Sequence, residues 1–259
     1  MKDELSNQVC VVTGASTGIG RCIALTLADA GADVVIHGRR PSEPIESLTQ
    51  QIREQGRRCE AVYGDFSESP DYESFVENAW AVFGHVNHWV NNAGGDVLTG
   101  ERAENSFAEK LEYLWKTDVV SSLMLSRLVG KRMRESRQEA VAESCSIINL
   151  GWDQAAQGMA GDSGEMFATT KGAIMAMTQS LAQSLAPGVR VNCLAPGWIQ
   201  TKWGNQTSSY WDRRAEEDSL MGRWGSPSDV AKAAKFLCSH PFISGHCLPV
   251  NGGFRYSKE

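Results

Sequence analysis

Short apolar runs rich in β-branched residues alternate along the chain with longer segments in which apolar residues recur at helical spacing. This alternation is typical of repeated βαβ units, which form a parallel sheet covered by helices. The pattern therefore predicts an α/β fold with a doubly wound, seven-stranded parallel sheet flanked by helices. The predicted strands are Val9–Thr13, Val34–His37, Arg58–Tyr63, Val86–Asn91, Ser146–Leu150, Val189–Leu194 and Cys247–Val250.

Helices are predicted between the strands, and no repeat, low-complexity tract or linker marks a second domain. The helical segments include Gly20–Ala30, Pro70–Phe83, Asn105–Met133 and Glu165–Ala186. We interpret residues 1–259 as a single domain. Its long connection 197–226 carries glycine, tryptophan and mixed charges, which is typical of a lid over a substrate site. The alternative is a surface insertion with a helix of its own.

Composition excludes several classes of function. The chain has 25 lysines and arginines against 31 aspartates and glutamates, and this acidic balance argues against a nucleic-acid partner. The seven cysteines include no C-x-x-C pair, so we expect neither a zinc site nor a disulfide framework. No apolar stretch approaches the length of a membrane span, and the N-terminus lacks a signal segment. We expect a cytoplasmic protein without a membrane partner.

A glycine-rich loop follows the first predicted strand. It reads Thr13-Gly-Ala-Ser-Thr-Gly-Ile-Gly20 and leads directly into a predicted helix. Glycines in such a turn allow backbone N–H groups at the positive end of the helix to approach a pyrophosphate closely. The pattern predicts a Rossmann-type dinucleotide site. Its candidate binding residues are Gly14, Ser16, Thr17, Gly18, Ile19 and Gly20.

The end of the second predicted strand indicates which nucleotide binds. An NAD site carries an acidic residue about twenty residues after the glycine loop, where it hydrogen-bonds the ribose 2′-OH. The chain reads Ile36-His-Gly-Arg-Arg40 at this point. Gly38 leaves room for a 2′-phosphate that Arg39 or Arg40 would contact, which favours NADP(H) over NAD(H). Alternatively, both arginines belong to a solvated turn before Pro41.

Four motifs in order give the chain a resemblance to a known family. They are the glycine loop, Asn91-Asn-Ala-Gly94, Val191-Asn-x-x-x-Pro-Gly197 and Val250-Asn-Gly-Gly253. Over nearly its whole length the chain resembles the short-chain dehydrogenase/reductase family, of the type that includes 3-oxoacyl-carrier-protein reductases and hydroxysteroid dehydrogenases. The resemblance implies a single-domain Rossmann fold, a nicotinamide cofactor, a small-molecule substrate and a homodimer or homotetramer.

The resemblance also implies residue roles. Lys171 falls on the lysine of the family's Tyr-x-x-x-Lys motif, which binds the nicotinamide ribose and lowers the pKa of the catalytic tyrosine. The resemblance places Asp65 at the adenine, and it implies that Asn91, Ala93 and Gly94 both line the cofactor and hold neighbouring strands. Further implied cofactor contacts are Phe66 and Asn92, and Pro196, Gly197, Ile199 and Thr201 along the nicotinamide and diphosphate.

Three of the family's catalytic positions are changed. Phe167 stands at the tyrosine and lacks the hydroxyl that exchanges a proton with the substrate. Asn149-Leu-Gly-Trp152 places Trp152 at the carbonyl-polarising serine, and a one-residue slip to Gly151 would still supply no hydroxyl. Asp118 falls at the family's asparagine. Tyr113 and Tyr210 are the nearest tyrosines in sequence, and neither lies within helical reach of Lys171.

Replacement proton donors are available among the carboxylates. We expect Asp118 to face Lys171, so that both groups stay ionised, and burial beside Trp152 to raise the pKa of Asp153. Asp162 and Ser163 either take part in the chemistry or cap the following helix. Tyr210 is a donor from the lid or simply an exposed aromatic residue.

Five tryptophans fall at the serine position or in the lid. They are Trp152, Trp198, Trp203, Trp211 and Trp224. They either converge on a broad apolar pocket or pack the lid onto its own domain.

These observations favour an NADP(H)-dependent oxidoreductase with an atypical active site. It would transfer hydride to or from a small apolar or aromatic substrate, with Lys171 and Asp118 or Asp153 managing the proton. One alternative is a nucleotide-binding protein without turnover, which acts as a sensor or partner subunit. Another is a non-redox enzyme on the same scaffold.

Overall fold

Seven parallel strands form one sheet in the computed structural model, which describes residues 4–68, 70–138, 145–201 and 208–255. The strands are β1 (Val9–Val12), β2 (Asp33–Gly38), β3 (Cys59–Tyr63), β4 (His88–Asn91), β5 (Cys145–Leu150), β6 (Val189–Pro196) and β7 (Cys247–Val250). Their order in the sheet is β3-β2-β1-β4-β5-β6-β7, and every neighbouring pair is parallel. The predicted doubly wound Rossmann fold is confirmed, and each predicted strand agrees with an observed one to within two residues.

Helices cover both faces of the sheet. They are α1 (Gly18–Asp29), α2 (Glu43–Glu54), α3 (Tyr72–Ala81), α4 (Phe107–Leu114), α5 (Ser121–Gln138), α6 (Asp162–Leu185), α7 (Ser209–Asp218) and α8 (Pro227–Ser239). One buried cluster joins α1, α2 and α8 to one face, and a second joins α3, α5 and α6 to the other. Alternate residues of β1 show the division, because Cys10 belongs to the first cluster and Val11 to the second.

The predicted single helix 105–133 is wrong at its start and in its interior. Ser106 forms a capping box with Glu109, so the helix begins at Phe107. Residues 115–120 then widen into a π-helical turn that separates α4 from α5. Within this stretch the hydroxyls of Thr117 and Ser121 donate to the backbone carbonyls of residues four positions earlier. Such bonds compete with the regular backbone ladder, and a π-turn changes the phase of the side chains that follow.

Helix α6 begins earlier than predicted. Its N-terminal cap is Gly161 at φ 91°, and no side chain caps it, so the expectation that Asp162 or Ser163 is the cap is wrong. Glycine suits this position because a positive φ strains residues that carry a Cβ.

The connection between β6 and α8 has a helix of its own. Helix α7 lies within it, and a bridge between Ile199 and Gly225 ties its two ends together. Trp203 lies outside the described residues. We call residues 197–201 and 208–226 the lid segment. Among the residues that the structure covers, no helix is long and apolar enough to cross a membrane.

Candidate active site

The glycine loop after β1 packs tightly against the end of β4. Gly14 has φ 62°, and a Cβ on it would lie 2.7 Å from the Cα of Ala93. A Cβ on Gly20 would lie 2.3 Å from the side-chain nitrogen of Asn92, which donates to the carbonyls of Thr13 and Gly14. The N-terminus of α1 opens directly onto this loop. The close packing therefore leaves a cradle of backbone groups that suits a diphosphate.

Two adjoining cavities run along the carboxyl ends of the strands and share Gly14, Ser16, Ala93, Gly94 and Asp96. We call the cavity of about 650 Å³ the aromatic cavity; it contains Thr17, Gly18, Ile19, Gly20, Asn92, Trp152, Phe167, Lys171, Pro196, Gly197, Ile199 and Thr201 among its lining residues. We call the cavity of about 600 Å³ the arginine cavity; it contains Arg39, Arg40, Asp65 and Phe66. The structure thus brings every predicted cofactor residue except the strand residue Asn91 to one groove.

Asn91 lies behind that groove and holds strands together. It is buried, and its side chain contacts Asn149 on β5 and Ser126 on α5. This placement agrees with the strand-bridging part of its predicted role.

The arginine cavity carries three arginines. Arg39 lies 3.9 Å from Asp65, and both side chains are about half exposed. Burial acts to raise the pKa of Asp65, but hydrogen bonds from Ser67 and the charges of Arg39 and Arg102 outweigh it and lower that pKa. Arg102 stacks on the ring of Tyr113 at 4.1 Å. The sequence analysis missed Arg102, because only the folding of the loop after β4 brings it here.

His37 joins the glycine loop to the arginine cavity. The Gly14 N–H donates to its Nδ1 at 3.1 Å, so its Nε2 carries the proton and donates to the Gly64 carbonyl at 2.9 Å. Its ring stacks on Phe66 with 4.6 Å between centroids. Burial lowers the pKa of His37 to about 4, which keeps the ring neutral. The signal in the sequence was a histidine within the apolar run of β2, and it was overlooked.

Lys171 and Asp118 form the predicted ion pair. The Lys171 Nζ lies 2.8 Å from Asp118 Oδ2, and their side chains are only 17% and 2% exposed. The Gly95 N–H and the Thr117 hydroxyl donate to Oδ1 at 2.7 and 2.9 Å. Both oxygens of Asp118 are therefore engaged. The carboxylate lies behind the cavity wall, where it orients Lys171.

Aromatic rings stand beside Lys171. Phe167 lies one turn before Lys171 on α6, and its ring meets Trp152 edge-on with 6.3 Å between centroids. Both rings line the aromatic cavity. Tyr113 lines the arginine cavity instead, and Tyr210 is 54% exposed and packs on Trp211. Among the described lining residues of the aromatic cavity there is no tyrosine.

Asp153 does not line the cavity, in contrast to its predicted catalytic role. Asn251 donates to its Oδ2 at 3.0 Å, and its buried Oδ1 has no hydrogen-bond partner among the described residues. A Cβ on Gly197, which lines the cavity, would lie 3.0 Å from Oδ2, so the carboxyl is close to the cavity wall without being part of it. The expected direction of its pKa is confirmed, because burial raises it.

Three tryptophans of the lid segment line the aromatic cavity and also pack on one another. Trp198 lies 5.3 Å from Trp211 and 6.0 Å from Trp224, measured between ring centroids. Asp218 accepts the indole N–H of Trp198, and Asp212 accepts that of Trp224, each at 3.2 Å. These three tryptophans therefore line an aromatic cavity and pack within the lid segment at the same time, so the two predicted roles do not exclude each other.

Comparisons with known proteins agree with this architecture. Residues 14–255 match the family described as enoyl-(acyl carrier protein) reductase. The chain is 31% identical over 271 residues to the cyclohexanol dehydrogenase of Rhodococcus sp. (strain TK6), with 98% of each chain covered. It is 30% identical over 260 residues to the 3-oxoacyl-(acyl-carrier-protein) reductase of Aquifex aeolicus (strain VF5), with 98% of this chain and 99% of the relative covered.

A solved structure shows the same likeness in three dimensions. The crystal structure of a 3-oxoacyl (acyl-carrier-protein) reductase from Agrobacterium tumefaciens C58 with NADP bound has a TM-score of 0.84 and 26% identity, and the match covers 96% of this chain and 95% of that one. Family match, relatives and fold all agree over almost the whole length. The chain belongs to the short-chain dehydrogenase/reductase family of oxidoreductases, which bind a nicotinamide cofactor.

Proposed function

We propose that this chain is an NADP(H)-dependent oxidoreductase that transfers hydride to or from a small apolar or aromatic organic substrate. The observation that carries the proposal is the continuous groove. It begins at Arg39 and Arg40, passes the glycine loop and reaches Lys171 beside an aromatic wall. Such a groove matches the length and polarity of a dinucleotide followed by an apolar substrate.

The residues of the groove fit the cofactor. Close packing at Gly14 keeps the loop free of side chains where a diphosphate would bind. Arg39 is held to Asp65 only by a long, half-exposed contact, so its guanidinium is available to a 2′-phosphate. Arg102 adds a further positive charge to the same cavity. These arginines favour NADP(H). Gly38 has a packing role instead, because a Cβ there would lie 2.8 Å from the Ile45 side chain.

The active site that we propose is atypical. The bound cofactor supplies or accepts the hydride. Lys171, oriented by Asp118, binds the nicotinamide ribose, while Phe167 and Trp152 exclude water and contact the substrate. A missing general acid lowers ketone reduction by about 10²–10⁴-fold, and a missing oxyanion donor lowers it by a further factor of about 10²–10³. Cofactor binding is untouched by these two replacements.

Nucleotide choice is tested by titrating NADPH and NADH into the protein and its variants. We expect Arg39→Ala or Arg40→Ala to weaken NADPH binding by about 10–100-fold, since each removes a charge-assisted hydrogen bond to the 2′-phosphate. NADH binding should stay unchanged. Lys131→Ala is the matched control, because it removes one positive charge at an exposed position on α5, where Lys131 is paired with Glu135. Equal losses for both nucleotides would contradict NADP(H) preference.

Turnover is tested by combining Phe167→Tyr with Trp152→Ser. We expect this double variant to gain ketone reduction, because the two changes restore a proton donor and a polarising hydroxyl beside Lys171. Tight NADPH binding without oxidation of NADPH by any carbonyl, enone or imine would instead support a sensor or partner subunit. Failure of the protein to bind NADPH or NADH would contradict the proposal.

We also propose that the chain is a homodimer or homotetramer. Support comes from the helical run 107–138, which exposes Phe107, Trp115 and Met124 by 39%, 43% and 38%. Light scattering of the purified protein tests this, and we expect Trp115→Glu to reduce the mass to that of a smaller assembly.

A further inference from the structure

The charges in and directly behind the lining of the aromatic cavity sum to a net negative charge. Among its described lining residues the ionisable groups are Lys171 and Asp96. Asp118 neutralises Lys171 from behind the wall at 2.8 Å. Asp96 is exposed at the cavity rim and accepts backbone N–H groups from Leu98 and Thr99. The cavity therefore favours a positively charged ligand over a negative one.

The walls of this cavity add to that preference. Its aromatic lining residues are Trp152, Phe167, Trp198, Trp211 and Trp224. A cation over an aromatic face gains about 2- to 30-fold in affinity. Asp212 accepts the indole N–H of Trp224, which makes that ring richer in electrons. Asp218 accepts the indole N–H of Trp198, but the same oxygen is paired with Arg214 at 3.3 Å. Arg214 already makes this contact with two of the rings, since its guanidinium lies 5.6 Å from the Trp198 ring and 5.5 Å from the Trp211 ring. Trp152, Phe167 and Trp224 therefore carry the preference for a ligand cation.

The same cavity is poor in proton donors. The hydroxyls among its described lining residues belong to serine and threonine, which do not release a proton near neutral pH. They are Ser16, Thr17, Ser163 and Thr201. The ammonium group of Lys171 lines the cavity, but it is paired with Asp118 at 2.8 Å, and both oxygens of Asp118 are engaged. Asp153 is not among the described lining residues. The cavity is therefore poorly suited to a substrate that must be protonated during hydride transfer.

An iminium ion needs no such proton. When hydride reaches the carbon of a neutral ketone, negative charge develops on oxygen and must be stabilised and protonated. When hydride reaches the carbon of an iminium ion, a C–H bond forms and the C=N π pair becomes the nitrogen lone pair. The dihydronicotinamide of NADPH would supply that hydride and would take over the positive charge. The positive charge moves from substrate to cofactor within the aromatic cavity, and the total charge stays constant.

We propose that the hydride acceptor of this site is a cationic iminium carbon attached to an aromatic or aliphatic ring, so that the enzyme forms an amine. The proposal rests on the hydride transfer proposed above and names its substrate class. The negative balance, the electron-rich rings and the scarcity of proton donors each favour a substrate that arrives already charged.

The test compares two acceptors of similar size with NADPH and the full-length protein. N-methyl-3,4-dihydroisoquinolinium is a permanent cation, and 1-tetralone is a neutral ketone. After subtraction of the uncatalysed reaction, we expect the iminium to be reduced at least about 100-fold faster, which is the factor that a missing general acid implies for the ketone. Its kcat should be flat from about pH 6 to pH 8, because no proton enters the hydride step.

Variants of the cavity wall give a second readout. Trp152→Leu should raise the KM for the iminium by about tenfold, within the range of a cation–aromatic contact, and Trp152→Phe should restore most of it. Asp212→Asn should raise that KM severalfold through Trp224. Binding of 1-tetralone should change little in each variant. Leu98→Ala is the matched control, because Leu98 lines the same cavity without an aromatic face.

The outcomes separate this proposal from the one it rests on. Reduction of 1-tetralone as fast as the iminium would overturn the iminium proposal and leave the oxidoreductase standing. Equal loss of iminium and ketone binding in Trp152→Leu would also overturn it. If NADPH binds but no acceptor of any class oxidises it, the proposed oxidoreductase fails as well.

Discussion

The buried ion pair between Lys171 and Asp118 gives the strongest prediction about the stability of this protein. Asp118→Asn keeps the size of the side chain, and its amide oxygen can still accept from Gly95 and Thr117. The change therefore removes mainly the charge that faces Lys171.

The expected cost follows from burial. Removing one partner of a buried pair leaves an uncompensated charge and costs about 3–5 kcal/mol. Lys171 keeps 17% of its side chain exposed, so some solvation remains to it. We expect a loss of about 3 kcal/mol in the free energy of unfolding. For a chain of this size that corresponds to a fall of about 6–12 °C in Tm.

The chain contains a matched control in the same helical run. Glu112 and Lys116 form an ion pair at 2.6 Å, but their side chains are 67% and 57% exposed. Glu112→Gln should cost only about 0.3–0.5 kcal/mol, because water solvates the remaining charge. Urea unfolding of the protein without nucleotide, at constant protein concentration, measures both changes.

A second variant separates charge from packing. Adding Lys171→Met to Asp118→Asn should recover at least half of the loss, since no unpaired charge then remains buried. Equal and small losses for Asp118→Asn and Glu112→Gln would refute the reasoning. So would a double variant less stable than Asp118→Asn alone.

Two further predictions follow from the glycine loop and from His37. Gly14→Ala should abolish NADPH binding and destabilise the protein, because a Cβ would lie 2.7 Å from the Ala93 Cα. Gly56→Ala is the control, because Gly56 has φ 82° and nothing lies within 4 Å of a Cβ there. It should cost only about 1–2 kcal/mol of backbone strain and leave NADPH binding intact. Calorimetric titration with NADPH and urea unfolding measure the two effects, and normal binding by Gly14→Ala would contradict the close approach. Burial lowers the pKa of His37 to about 4 in the folded protein. Between that value and its ordinary pKa of 6.5, the unfolded chain binds a proton that the folded chain does not bind. The free energy of unfolding therefore falls as the pH drops through this range. We expect His37→Gln to reduce this slope by up to about 1.4 kcal/mol per pH unit between pH 6.5 and pH 5, measured by urea unfolding, and an unchanged slope would show that His37 is not the group responsible.

Local patterns predicted the strands and the cofactor groove well. Each buried strand is marked by a short apolar run, and such a run can be recognised from a few consecutive residues. The glycine loop, Arg39 and Lys171 were equally accessible, because each lies at a short, regular distance from a strand or within one helix. The absence of a hydroxyl at Phe167 also followed from the order of residues alone.

Contacts between distant segments were harder to predict. The π-helical turn at 115–120 changes the phase of the helix, and a periodicity argument that assumes regular helix has no access to it. Arg102 reaches the arginine cavity only because the loop after β4 folds over Tyr113. His37 gains its role from Gly64 and Gly14, which lie 27 and 23 residues away.

The sequence by itself determined the sheet, the glycine loop after β1 and the lack of a hydroxyl at residue 167, because these depend on residue type and on spacing along one strand or helix. Only the tertiary structure decided which carboxylates line the aromatic cavity. It buries Asp118, engages both of its oxygens, and leaves Asp153 out of the cavity lining. It also brings Trp152, which lies two residues after β5, into one cavity with Trp198, Trp211 and Trp224 of the lid segment. Burial and charge pairing arise between segments far apart in the chain, and they decide the chemistry that the groove can perform.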